Sequence, residues 1–180
     1  MFARTAPILF ALAALALGAC EATTQSPPAV SAAGDWREFE GSWNAAGRRH
    51  TIPLGGERKG SAIELRGTML LAGPGRPGVG FRSDVVALSD SETGLVGRSV
   101  WTDERGDQVF SELKGEGTAT NNRIAGTIVG GTGRYAGATG AYEFSWQFVL
   151  EAEDGSIQGR GVGLKGRVRV GQSTAGAVRP

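Results

Sequence analysis

Apolar and polar residues alternate with a period of two through most of the chain after residue 34, and no segment there holds a helical period. The clearest case lies in 140–152. Tyr142, Phe144, Trp146, Phe148 and Leu150 share one face, and Glu143, Ser145 and Gln147 share the other. In 62–72, Ile63, Leu65, Met69 and Leu71 oppose Glu64, Arg66 and Thr68. In 157–170, Val162, Leu164, Val168 and Val170 oppose Gly161, Gly163, Lys165, Arg167 and Arg169. Such runs predict eight strands, at about 36–44, 62–72, 79–88, 93–103, 107–117, 123–130, 140–152 and 157–170. The fifth is ambiguous, since Phe110 falls with Glu112, Lys114 and Glu116 while Val109 and Leu113 take the other face. Turn chemistry separates the runs, at "DERGD" (103–107), "TNNR" (120–123) and "AEDGS" (152–156). The proline- and glycine-rich "AGPGRPG" (72–78) is a turn or loop. Residues 45–61 lack a strand period and are expected to form a long first loop.

The fold class is therefore all-β. Eight strands, each with one apolar face, close economically into an eight-stranded antiparallel β-barrel, because closure removes the exposed edges of an open sheet. A two-sheet sandwich shares the same pattern. An eight-stranded barrel leaves an interior that side chains fill or that holds one small ligand. Tyr142, Phe144, Trp146 and Phe148, with Trp101 and Met69, are the candidate ligand-binding residues; Trp36 and Trp43 add further aromatic surface. The structural alternative is that these rings simply fill the barrel.

One stretch invites a different reading. "GGTGRYAGATG" (130–140) is dense in glycine. A Walker loop needs a Lys-Ser/Thr pair leading into a helix, and a dinucleotide fingerprint needs a helix N-terminus for the pyrophosphate. The glycines lead instead into the strand "AYEFSWQFVL". The stretch reads as a β-turn joint: Gly130, Gly131, Gly133, Gly137 and Gly140 permit the tight turn and close strand approach, and Tyr135 is expected to fold back and plug one end of the core. "IVGGTGRYAGATGAYEF" (128–144) is similar to the glycine motif of the allene oxide cyclase and dirigent barrels, where a strand ending in Gly-Gly-Thr/Ser-Gly is followed by an aromatic residue, a turn and a glycine opening the next strand. The resemblance implies a calycin-like, allene oxide cyclase-like barrel with a hydrophobic cavity. It maps Gly130, Gly131, Thr132, Gly133, Tyr135, Gly137 and Gly140 as structural and carries no catalytic residue across.

The start of the chain carries an address. "MFARTAPILFALAALALGAC" has one arginine, an apolar stretch too short to span a membrane, and small residues before Cys20. Leu17-Gly18-Ala19-Cys20 resembles the bacterial lipobox, which implies a signal peptide over 1–19 and a lipidated Cys20, the chain's only cysteine. Two acyl chains anchor stably where one is marginal. Residues 20–34 then form a lipidated cysteine with a Pro/Ala/Ser/Thr tether, 35–170 the barrel domain and 171–180 a disordered tail. The resemblance to bacterial lipoproteins also implies a place: in enterobacterial members an Asp after the cysteine favours the inner membrane, so Glu21 there gives the outer membrane, facing the periplasm, as the expected location.

Charge narrows the partners. The 19 Lys and Arg balance 18 Asp and Glu, and no basic stripe marks a nucleic-acid interface. "GRRH" (47–50) and "GLKGRVRV" (163–170) are local basic clusters of the kind strand faces carry. With His50 as the only histidine, neither a His-rich zinc site nor a supported Ser-His-Asp triad is available, and no cofactor signature is present. The pairs Glu38/Glu40 and Glu112/Glu116 share strand faces, and Asp103, Glu104 and Asp107 fall in a hairpin turn without EF-hand spacing. The expected function is a lipid-anchored barrel that binds a small apolar ligand or supports an envelope assembly without catalysis. The alternative is a cyclase-like or dirigent-like enzyme acting on a hydrophobic small molecule inside the barrel.

Overall fold

The computed structural model describes residues 35–75, 78–116 and 122–171. Eight strands succeed one another: β1 (Arg37–Pro53), β2 (Lys59–Ala72), β3 (Val79–Asp90), β4 (Gly94–Asp103), β5 (Gln108–Gly115), β6 (Asn122–Gly131), β7 (Thr139–Glu151) and β8 (Ser156–Arg169). Each pairs antiparallel with the next and β8 pairs with β1, so the sheet closes into a barrel. The sandwich alternative is thereby excluded.

The antiparallel meander gives the barrel two distinct ends. The β1–β2, β3–β4, β5–β6 and β7–β8 connections lie at one end, here the open end. The chain enters at the other, closed end, which also holds the β2–β3, β4–β5 and β6–β7 connections. There a single 3₁₀ turn, Gly133–Tyr135, succeeds β6 and tucks Tyr135 against the core, its ring 5.8 Å from that of Phe81.

The expected long loop at 45–61 is not one. β1 continues to Pro53 and β2 begins at Lys59, paired residue by residue from Ala45↔Gly67 to Pro53↔Lys59. Only 54–58 turn. Hydrophobic alternation fades here because the inward positions of upper β1 are Gly47 and Arg49 rather than large apolar residues, while the ladders to β2 and β8 hold the backbone extended regardless. His50 accordingly stands exposed on the outer face of a strand, not in a loop.

Two further departures come from β-bulges. In β8 three residues span what two span on both neighbours, between Leu164 and Gly161, and Gly163 takes φ +67° there. The extra residue turns Val162 outward, 40 % exposed, while Leu164 stays buried. In β7 a second shift, between Phe148 and Leu150, turns Leu150 outward at 47 %. β5 resolves as Val109, Ser111 and Leu113 inward.

The interior is crowded with rings, and glycine makes room for them. A Cβ on Gly126 would enter the Tyr142 ring, one on Gly159 the Trp146 indole, and one on Gly161 would lie 3.2 Å from Phe144. Inward-facing glycines on β6 and β8 thus form the floor on which the β7 aromatics lie.

Candidate functional site

The aromatic ladder divides between two halves of the barrel. In the closed half, Trp101 and Tyr142 lie with ring centroids 4.8 Å apart, Phe39 and Phe81 pack edge-on and tilted against Trp101, and Met69 is buried in the same cluster. These residues fill the barrel. Of the candidate ligand-binding residues, Tyr142, Trp101 and Met69 lie in this packed half and outside the lining of the well in the open half.

In the open half the packing leaves a well of about 50 Å³. Phe144, Trp146 and Phe148 line it, together with Trp43, Ile63, Leu65, Val85, Ala87, Leu95, Leu113 and Ile124. Trp43 and Trp146 lie tilted against each other with ring centroids 4.9 Å apart, and Trp43 meets Phe144 edge-on at 5.6 Å, so β1 and β7 supply one aromatic wall. At the mouth, Arg49 sits 5.3 Å over the Phe148 ring and pairs with Glu151 at 2.7 Å. Phe148 is only half-buried, so this aromatic–arginine pair forms the rim. Sequence reasoning misses Arg49, which falls inside the expected loop; its place two residues after Gly47 and four after Ala45, in the alternation of β1, is the signal that marks it as inward.

Two polar atoms in the lining are out of water and without a protein partner: Trp43 Nε1 and Ser89 Oγ. A buried donor without an acceptor is costly, about 1–3 kcal/mol. A ligand acceptor or an ordered water would satisfy either one. Among the described residues, none of those lining the well is a carboxylate. The paired carboxylates of the sequence lie elsewhere: Glu38 and Glu40 are exposed on the outer face of β1, and Glu112 pairs outside with Arg98 at 3.0 Å. The buried phenol of Tyr142 contacts Ser99 Oγ at 3.3 Å in the closed half, and burial raises its pKa.

The closed end is locked by Asp103, whose side chain is fully buried. Its Oδ1 accepts the Arg105 and Asp107 amides at 2.8 and 3.0 Å, and its Oδ2 accepts Arg134 Nε at 2.7 Å and pairs with Nη2 at 2.6 Å. Burial pushes its carboxyl up, but these donors and the Tyr135 hydroxyl outweigh burial and leave it below the ordinary range. Burial also drives the Tyr135 phenol up to about 12, against the opposing pull of Arg134. The cluster Asp103, Glu104 and Asp107 is therefore a hairpin lock, and among the described residues no group of acidic, cysteine or histidine side chains is arranged to hold a metal ion.

The glycine joint explains the lock's geometry. Gly133 and Gly137 take φ of +50° and +69°, and a Cβ on Gly133 would overlap the Asp107 carboxylate. Gly131 lies against the carbonyls of Gln108 and Tyr135, and Gly140 against that of Arg167. Gly137 has space around it and is restricted only by its positive φ, whereas Gly130 has both an ordinary φ and room, with only the Phe110 ring 3.9 Å away. Trp36 lies outside the barrel, its ring flanked by Arg167 and Arg169 at 4.9 and 5.2 Å. Cys20 and the residues around it fall outside the described residues. The chain matches no protein-family model, no curated protein and no solved structure.

Proposed function

We propose that the chain is a lipid-anchored envelope protein whose barrel binds a small apolar ligand in the well at its open end, without chemically converting it. The observation that supports this most is the well itself: ring-walled, closed below by the packed half of the barrel, and lined by the unpartnered Trp43 Nε1 and Ser89 Oγ. An apolar body with one hydrogen-bond acceptor suits that lining. The well is about a third of the ~150 Å³ that admits a benzene ring. It therefore takes a chain end or small group, and a larger ligand requires Phe148 and Arg49 to swing from the rim. The absence of a carboxylate from the lining favours binding over acid–base chemistry. The resemblance of 128–144 to the allene oxide cyclase and dirigent glycine motif supports the same kind of barrel.

Anchoring through Cys20 puts the barrel on a bacterial membrane, in this reading the outer membrane facing the periplasm. β1 begins at the closed end, so the first described residues, 35 and 36, lie at the end of the barrel opposite the well.

Native mass spectrometry of residues 35–180 purified from the periplasm tests the ligand, since the closed barrel lies within them. A bound mass lost on denaturation, and lost in an Ala87→Leu variant that fills the well, is the expected result. An empty barrel with both sequences removes the ligand reading and leaves a role in envelope assembly. Membrane fractionation of Cys20→Ala tests the anchor separately; the chain is expected to leave the membrane fraction.

A further inference from the structure

The outer face of the barrel carries a patch that the ligand well does not explain. Val86 and Leu88 on β3 are 59 % and 64 % exposed, and Val96 on β4 is 57 % exposed. Strand pairing sets them side by side. Ala62, Leu88 and Val96 form one row across β2, β3 and β4, and Glu64, Val86 and Arg98 form the next. Large aliphatic side chains pointing outward on adjacent strands are unusual for a solvated sheet face and mark contact surfaces. A hollow of about 360 Å³ beside them, edged by Ile52 and Leu54, extends the apolar area toward the open end.

The charges around the patch identify what fits it. Glu64 and Arg98 lie on opposite sides of Val86, one strand away on each. A two-fold axis running along β3 would set Glu64 against the partner's Arg98, and Arg98 against the partner's Glu64. The same rotation would place Leu88 against the partner's Leu88, and the small Ala62 against the larger Val96 of the partner subunit. A membrane surface selects one sign of charge; this row carries both, in the antisymmetric order that makes a surface complementary to itself. The carboxylates that bracket the patch on β3 arrive already neutralised: Asp84 is held by Arg66 and Arg82 at 2.5 and 3.2 Å, and Asp90 by Arg58 at 2.6 Å. The present partners of Glu64 and Arg98, Arg66 at 3.9 Å and Glu112 at 3.0 Å, are exposed pairs that exchange at little cost.

We propose that the β2–β4 outer face is the contact between two copies of this chain, related by a two-fold axis along β3. A residue on such an axis faces its own copy, which makes the proposal directly testable by cross-linking. Cys20 is the only native cysteine. Leu88→Cys and Val86→Cys are introduced singly into the full-length chain, with Val129→Cys, outward on β6, as the control. Oxidation by added diamide, which takes up the two hydrogens of the joined thiols, is then read on a non-reducing gel. The expected result is a disulfide-linked dimer for Leu88→Cys and Val86→Cys at least tenfold above Val129→Cys. In the Leu88→Cys background, Glu64→Arg or Arg98→Glu alone is expected to reduce the dimer band, and the two together to restore it. Equal cross-linking at Leu88 and Val129, or conjugation of Leu88→Cys only to a different protein, overturns the proposal. So does cross-linking indifferent to both charge reversals. Circular dichroism of each variant establishes that the barrel is intact, and Val86→Cys stands in if Leu88→Cys is not.

Discussion

Arg134 meets Asp103 at 2.6 Å across the closed end of the barrel, joining the turn after β6 to the β4–β5 hairpin. The carboxylate is fully buried while the guanidinium is a third exposed, so the pair matters less as an attraction than as the satisfaction of a buried charge. Arg134→Met is therefore expected to cost about 1–3 kcal/mol, because it leaves Asp103 Oδ2 short of donors. Asp103→Asn keeps an oxygen for the Arg105 and Asp107 amides and is expected to cost less. Urea denaturation of the two single variants measures the order; an Asp103→Asn loss larger than that of Arg134→Met would overturn the account in which an unpaired buried carboxylate is the main cost.

Acid stability derives from the depressed carboxylates. The hydrogen bond from Arg58, helped by the Glu92 and Thr93 amides, takes Asp90 from an ordinary 3.8 down to about 2. A carboxyl whose folded pKa lies below its unfolded value stabilises the fold above the unfolded pKa, and that contribution disappears as pH falls through the folded one. For Asp90 the window runs from 3.8 down to about 2. Asp103, Glu143 and Asp154 are shifted in the same direction and add to the slope. The melting temperature is expected to fall steeply through that window. Asp90→Asn is expected to melt below the parent at neutral pH and to converge with it at the acid end; curves that stay parallel would remove Asp90 from the account.

The alternation of apolar residues locates seven strands to within a few residues, because each has a face that must leave water. It fails where that pressure relaxes. Upper β1 borders the mouth, so its inward positions are Ala45, Gly47 and Arg49, and a strand held by two backbone ladders reads as a loop. A period of two places Val162 and Leu150 inward because it has no way to register an extra residue; the bulges that turn them out are set by Gly163 and by pairing with neighbours distant in sequence. The aromatic ladder is visible in the sequence as a ladder. Its division between a packed half and an open well depends on which glycines lie opposite which rings, and that is a property of the closed barrel.

Gly126 illustrates how tightly that floor is fitted. Its Cα lies under the face of the Tyr142 ring, and an added methyl would enter it. Gly126→Ala must displace a ring already packed against Trp101 at 4.8 Å, so a loss of about 1–3 kcal/mol is expected. Gly130→Ala, in the same strand with open space, is the control and is expected to fall within about 0.5 kcal/mol of the parent. Denaturant midpoints of the pair measure the difference; equal losses would mean that backbone freedom, not ring contact, governs these glycines.

Ser89 and Ser83 separate binding from folding. Both hydroxyls are buried without a protein partner, but only Ser89 lines the well. Removing an unsatisfied buried hydroxyl relieves its desolvation penalty, so Ser83→Ala and Ser89→Ala are each expected to raise stability by about 1 kcal/mol in the ligand-free barrel. Their effects on ligand must differ. Ser89→Ala deletes a donor facing the well and is expected to weaken an acceptor-bearing ligand about fivefold to tenfold, the equivalent of one ordinary hydrogen bond. Ser83→Ala lies beyond the lining and is expected to leave affinity unchanged. Isothermal titration of both variants against whatever mass the native barrel retains decides the matter. A ligand indifferent to Ser89 would place its acceptor on Trp43 Nε1, the other unpartnered donor of the lining, and Trp43→Phe would then be the substitution that weakens it.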